Sequence, residues 1–169
     1  KAQSMSFQFH KLKVRDLRRE TAETVSISFE VPEKERAAFQ FKQGQHLTLK
    51  TELNGEEIRR SYSICTAPHE NDLRVAVKKV EGGVFSSWAN EHLKAGDWLE
   101  VMPPQGHFFT ELAAQNAKQY VAFAAGSGIT PLMSILKATL EQEPNSQFML
   151  FYGNRSFDTI IFREQLDAL

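Results

Sequence analysis

At 169 residues, with 41% hydrophobic residues and a formal net charge of −1, the chain has room for one packed domain and part of another. The near-neutral charge removes the electrostatic case for nucleic acid or an anionic membrane as partner, and the longest apolar runs fall far short of a bilayer span. The single cysteine, Cys65, rules out an internal disulfide and is too few thiols for an iron–sulfur cluster.

The first two thirds read as all-β. In TVSISFEV at 24–31, Val25, Ile27, Phe29 and Val31 alternate with Thr24, Ser26, Ser28 and Glu30, the period of a strand with one face buried. HLTLKT at 46–51 follows the same rule less strictly. LNGEE at 53–57 carries an Asn-Gly pair, a strong hairpin signal joining a strand at about 46–52 to one at about 57–65. LRVAVKKV at 73–80 is a further strand, VFSSWANEHL at 84–93 a short amphipathic helix, and DWLEVM at 97–102 a strand after the turn KAGD. Short strands at this spacing predict a small antiparallel Greek-key β-barrel.

The character changes after PPQGHF. TELAAQNAKQ at 110–119 reads as a linker, and YVAFAAG and QFMLFYG as parallel strands buried on both faces. Between them TPLMSILKATLEQ is helical, with Leu132, Ile135, Leu136 and Leu140 on one face, and FREQLDAL begins another helix. Strand, helix, strand, helix opens a doubly wound α/β domain. Two strands cannot cover both faces of such a sheet, so the chain is expected to stop inside its second domain.

Three stretches could hold a ligand. In RRSYSICTAP, Arg60 offers a planar fork for phosphate oxygens, Tyr62 a ring for stacking and Ser63 a hydroxyl for a ring nitrogen. The same residues also suit a surface ion pair, a core ring and filler. In EGGVFSSWAN, Gly83 precedes a helix whose first-turn amides and dipole attract phosphate; a hairpin glycine pair with a serine cap fits equally well. In AAGSGITPLMS, a strand ends in Gly126-Ser127-Gly128, with Thr130 expected as helix N-cap and Pro131 in the first turn. That order resembles a nucleotide-phosphate turn, although Pro131 stands where the dinucleotide fingerprint has its third glycine. A tight strand–helix turn without a ligand is the alternative.

Taken together, FKQGQHLTLK, GEEIRRSYSIC, EVMPPQGHF, AAGSGITP and FMLFYGNRSFDTIIFREQL resemble the ferredoxin–NADP⁺ reductase superfamily of two-domain flavoproteins. Within it they are most similar to the reductases of oxygenases, including that of phenylacetate degradation. The resemblance covers essentially the whole chain and implies an FAD-binding barrel at 1–110 and the first part of an NAD(P)-binding domain at 118–169. It implies that Arg60 binds the FAD pyrophosphate, Tyr62 lies against the isoalloxazine, and Ser63 sits near flavin N5. Gly83, Val84, Phe85 and Ser86 match the second flavin segment. Gly126, Ser127, Gly128, Ile129, Thr130 and Pro131 match the nicotinamide-nucleotide loop, with Thr130 where flavin and nicotinamide meet. Ser63 and Thr130 are thus positioning groups, and no side chain is assigned as acid or base.

Arg155 and Ser156 in YGNRS could meet a 2′-phosphate, with no acidic residue immediately there to grip a free 2′-hydroxyl, which favours NADPH. His46 and Cys65 read as structural. The resemblance further implies a plant-type [2Fe–2S] domain absent from this chain and an oxygenase component as electron acceptor. No metal site, nucleic acid or membrane is expected. No charged-then-apolar leader opens the chain, so a cytoplasmic protein is expected. Two rival functions remain at this stage: a flavin-binding subunit without catalysis, and a barrel adaptor without a cofactor.

Overall fold

Six strands build the first module of the computed structural model, which describes residues 8–169. They are β1 (His10–Thr21), β2 (Thr24–Glu30), β3 (His46–Leu53), β4 (Glu56–Ser63), β5 (Leu73–Lys78) and β6 (Trp98–Gln105). Their order is β4-β3-β6-β1-β2-β5, antiparallel at every pairing. The two edge strands, β4 and β5, meet at the isolated bridge Ile64↔Val75. The sheet is therefore rolled up like a barrel, with a single bridge between its edges. Asn54 and Gly55 both have positive φ, as the two-residue turn between β3 and β4 requires.

β1 is the element that hydrophobic periodicity does not mark. In HKLKVRDLRRET only Leu12 and Val14 alternate cleanly before charged residues take over. It forms because it lies between β6 and β2 and completes both ladders.

β2 departs from the one-sided strand that its alternation predicts. Val25, Ile27 and Phe29 enter the barrel core, yet Thr24, Ser26 and Ser28 on the other face are also fully buried. Arg74 of β5 covers part of that face, donating to Ser26 Oγ at 2.9 Å while pairing with Asp16 at 2.6 Å and Asp72 at 2.9 Å. Each guanidinium nitrogen thus has an acceptor, which a buried arginine needs. The Arg74 hydrogen bond holds the Asp16 carboxyl below its usual range, with the Arg18 charge contributing.

α1 (Val84–Glu91) follows β5, ending slightly earlier than the pattern predicts. The second module comprises β7 (Gln119–Ala125), α2 (Ile129–Gln142), β8 (Gln147–Gly153) and α3 (Arg163–Asp167), with β7 and β8 parallel. Here too burial corrects expectation. The strands are covered on their helix side, but Val121, Phe123, Met149 and Phe151 on the other side are 50–73% exposed. Phe123 and Phe151 stack on each other, with centroids 5.0 Å apart.

α2 buries Ile129, Met133 and Leu136 together with Ser134, Ala138 and Thr139, while Leu140 is exposed. The predicted leucine stripe is displaced because α2 packs on two partners, the strands and the barrel. Against the barrel, Ser134 donates to the Thr66 carbonyl at 2.6 Å, and Lys137 pairs with Glu70 at 2.8 Å. A second core cluster joins Cys65 and Ala76 of the barrel to Ile129, Met133, Ile161 and Phe162. The outer face of β5 is therefore an inter-module face, which explains its two-sided burial.

The segment between the modules is anchored by Glu143, a fully buried carboxylate just after α2. It accepts from the Ala113 amide (3.1 Å), Asn116 Nδ2 (2.6 Å), Tyr120 hydroxyl (2.8 Å) and Ser146 Oγ (2.7 Å). Burial pushes its pKa up, but these hydrogen bonds outweigh burial and bring it down to about 2 from an ordinary 4.5. A depressed folded pKa contributes stability that is complete above the unfolded value and is lost as pH falls through the folded one. Melting temperatures should accordingly fall between about pH 4.5 and pH 2. A Glu143→Gln protein should melt roughly 5 °C lower at neutral pH and show a flatter acid limb. Superimposable acid limbs would remove Glu143 as the anchor.

Candidate cofactor site

A cleft of about 640 Å³ opens at the barrel seam, between β4, the end of β5 and the second module. Its walls include Tyr62 and Ser63 from the barrel and Ser127, Thr130 and Arg155 from the second module. These come from two stretches far apart in sequence and from the loop after β8. The fold brings them together because α2 docks on the 64–76 segment, placing the start of α2 beside the end of β4. Two other clefts, of about 350 Å³ near Arg163 and about 600 Å³ near Phe39, gather none of the candidate ligand residues.

Within β4, Tyr62 and Arg60 pair across the ladder with Leu47 and Leu49, so they share one face. Tyr62 packs partly against the barrel core and lies 5.6 Å from the Phe85 ring, tilted by 32°. Burial raises its phenol to about 12, with the Arg60 charge pulling the other way, so the ring stays neutral. Arg60 lies exposed beside the cleft walls, its Nη1 donating to the Arg59 carbonyl at 2.7 Å. On the opposite face Ser61 and Thr48 share a 2.9 Å hydrogen bond. Beyond Ser63, Cys65 is buried and its thiol is raised to about 12 by burial, so it is a packing residue rather than a nucleophile.

The α1 segment is adjacent: Val80 and Glu81 line the cleft, and the helix begins after Gly83. No side chain caps that start, so the first-turn amides of Val84, Phe85 and Ser86 lack intrahelical partners. The serines do not supply the cap that the sequence allows. Ser86 is buried and accepts the Val80 amide at 3.1 Å, and Phe85 is a core residue. A Cβ on Gly83 would come within 2.5 Å of Ser86 Oγ, so that glycine is required by packing.

The second-module turn also differs in detail. Gly126–Gly128 form a short 3-10 turn, and Gly126 has a φ of +51°. α2 starts at Ile129 with Gly128 before it, so Thr130 lies inside the first helical turn and is not its N-cap. Its hydroxyl donates back to the Ser127 carbonyl at 2.8 Å. Ile129 is buried in the inter-module cluster, and Pro131 is half-buried. Ser156 is exposed and lies beyond the cleft walls; its amide donates to Thr159 Oγ1 at 3.2 Å.

The charges that line the cleft are of both signs, Glu23 and Glu81 standing with Lys78, Lys79 and Arg155. Lys79 pairs with Glu91, but Lys78 and Arg155 make no ion pair among the described residues. Lys78 is the site residue that motif reading misses. It ends β5, and its Nζ lies 3.6 Å from where a Cβ on Gly126 would stand. The signal available was a basic pair closing an alternating strand just before Gly-Gly.

Two family models match in tandem: the oxidoreductase FAD-binding domain over residues 11–110 and the oxidoreductase NAD-binding domain over residues 123–169. The chain belongs to the FAD- and NAD-binding oxidoreductases of the ferredoxin–NADP⁺ reductase type. Among relatives of this family, it is 49% identical to a component protein of the 1,2-phenylacetyl-CoA epoxidase of Escherichia coli, over 95% of this chain and 45% of that protein. It is 39% identical to the ferredoxin reductase component of the 3-ketosteroid-9-alpha-monooxygenase of Rhodococcus rhodochrous, covering 89% of this chain and 42% of that one. The chain thus spans less than half the length of these oxidoreductases. Phthalate dioxygenase reductase, described as a modular structure for electron transfer from pyridine nucleotides to [2Fe–2S], superposes with a TM-score of 0.76. It is 28% identical, covering 94% of this chain and 47% of that one. A ferredoxin NADP⁺ reductase from Neisseria gonorrhoeae with bound FAD and NADP shares the fold, with a TM-score of 0.78 at 22% identity, over 97% of this chain and 65% of that one. No helix among the described residues is long and apolar enough to cross a membrane.

Proposed function

We propose that this chain, in the cytoplasm, takes hydride from NADPH onto FAD and passes electrons singly to an oxygenase of the phenylacetyl-CoA epoxidase kind. A [2Fe–2S] centre outside these residues is the intermediate carrier. The observation that carries the reading is the single cleft in which Tyr62 and Ser63 meet Ser127, Thr130 and Arg155. Residues 1–110 serve FAD in this reading, and residues 118–169 serve the nucleotide.

The residues present fit these groups. A neutral, half-buried tyrosine ring is suited to packing on a flat tricycle. Arg60 and the open amides of Val84, Phe85 and Ser86 are donors for a diphosphate. Ser63 lies at the end of β4, where a hydroxyl can orient the flavin N5 edge, and Thr130 faces it from the second module. The Gly126–Pro131 segment supplies small residues and backbone amides for the nucleotide, with Lys78 facing it from the barrel. Arg155 and Ser156 are the candidates for the 2′-phosphate.

Bound FAD supplies the hydride acceptor and the capacity to release electrons one at a time. What the chain contributes is placement: both partners are held against one seam and water is kept from between them. The test is anaerobic addition of NADPH and of NADH to the FAD-loaded protein. The flavin band should bleach with NADPH, and an Arg155→Ala change should weaken NADPH about tenfold and NADH hardly at all. An unbleached band would establish a non-catalytic flavin subunit. A protein that takes up no FAD would overturn the site. An unaltered preference in the Arg155→Ala protein would overturn the 2′-phosphate assignment.

A further inference from the structure

The nucleotide turn is held by a phenol from the sheet beneath it. Tyr152, in β8, lies opposite Ala124 on the helix-facing side of the parallel pair and packs on the inter-module cluster. Its hydroxyl donates to the Gly126 carbonyl at 2.9 Å and accepts the Ile161 amide at 3.2 Å. One side chain thus joins the turn after β7 to the segment that leads into α3.

The direction of this link matters. Gly126 has its φ at +51°, and the peptide bonds of the described residues are all trans. Across a trans peptide the carbonyl and the following N–H point opposite ways. The Gly126 carbonyl, held by the Tyr152 hydroxyl together with the Ile129 amide, therefore turns the Ser127 N–H the other way, and Ser127 is an exposed residue of the cleft wall. An outward backbone N–H at the start of a helical turn is a phosphate donor.

The other end of the link is equally constrained. Phe162 follows Ile161 with a φ of +62°, a conformation that bulky side chains rarely adopt, and is only 4% exposed. It is kept there by burial in the cluster with Cys65, Ile129 and Met133. Ile161 is itself buried in that cluster, which gives its amide a fixed direction, and Tyr152 links that amide to the turn.

We propose that Tyr152 is a positioning residue: its hydroxyl aims the Gly126–Ser127 peptide at the diphosphate of the bound nicotinamide dinucleotide. It also registers that peptide against the Ile161–Phe162 segment packed on the barrel. The role rests on the reading of the cleft given under Proposed function.

Tyr152→Phe keeps the ring in the cluster and removes only the hydroxyl. In FAD-loaded protein, the Kd for NADP⁺ measured by titration calorimetry should rise about tenfold. FAD content should not change, and the rate of flavin reduction at saturating NADPH should stay within about twofold, giving a KM effect without a kcat effect. An NADP⁺ affinity equal to that of the unaltered protein would overturn the proposal. So would a parallel loss of FAD content and affinity, which marks a merely structural tyrosine. Should Tyr152→Phe fail to fold, Ser127→Pro removes the very N–H that is aimed and should show the same loss; normal NADP⁺ affinity there would overturn the proposal too. The unaltered protein separates the two levels. If it binds no NADP⁺ the cleft assignment fails, whereas normal binding beside an unaffected Tyr152→Phe protein removes only the tyrosine's role.

Discussion

An Arg60→Ala protein should bind FAD about a hundredfold more weakly than the unaltered protein while its apo form melts within about 1 °C of it. The asymmetry follows from where the side chain lies. Arg60 is exposed, and its hydrogen bond runs to the carbonyl of its own neighbour, Arg59, so little of the fold depends on it. Its charge is close enough to act on the half-buried Tyr62 phenol, which places it beside the ring proposed to face the flavin. Two charge-assisted hydrogen bonds to a diphosphate, at about 1.5 kcal/mol each, set the size of the loss. Fluorescence titration of FAD into deflavinated protein measures it. An Arg60→Ala protein with ordinary FAD affinity would move the pyrophosphate elsewhere, and the α1 amides would then be the first alternative.

Gly44→Ala should be among the most damaging single substitutions in the chain, costing about 4 kcal/mol and lowering Tm by roughly 10 °C. A Cβ at this position would stand 1.9 Å from the Phe108 carbonyl oxygen and 3.2 Å from Ile135 Cδ1. The first of these is backbone and cannot swing aside. Nearby, Gln43 donates to the Thr110 carbonyl at 2.9 Å, and Lys42 pairs with Glu111. The 42–46 turn, the 106–111 loop and α2 therefore meet at one point, and the seating of the second module on the barrel depends on it. Gly55→Ala is the internal control. Gly55 also has positive φ (+78°, against +85° at Gly44), but its Cβ would meet nothing within 4 Å. It should cost only about 1–2 kcal/mol from backbone strain. Equal thermal melts for the two variants would show that the 106–111 loop gives way and that the junction is soft.

The sequence was most informative where local rules dominate. The Asn54-Gly55 turn, the alternation of β2 and β5, and the glycines before α1 and α2 were all readable. Each depends on backbone conformation or on a periodicity of two, which neighbours along the chain impose. The residues Tyr62, Ser63, Ser127, Thr130 and Arg155 were legible as candidates not singly but through the order of their motifs along the chain.

Other features depended on what each element packs against. β1 carries charges in place of a clean apolar stripe, and it exists because β6 and β2 supply hydrogen-bonding partners on both sides. The serine face of β2 is dry because Arg74 brings matched charges to it, a pairing between residues distant in the chain. Thr130 loses its expected capping place because the 3-10 turn at Gly126–Gly128 starts α2 two residues early.

Composition and spacing alone pointed to a strand-rich module followed by an α/β one, while the candidate cofactor residues came from the motifs together with the family resemblance they carry. Whether those residues share a cleft, and that Lys78 joins them, emerged from the packing of α2 on the 64–76 segment. Backbone propensity is written in adjacent residues, whereas a cleft is a relation between surfaces brought into contact by burying apolar area from both modules.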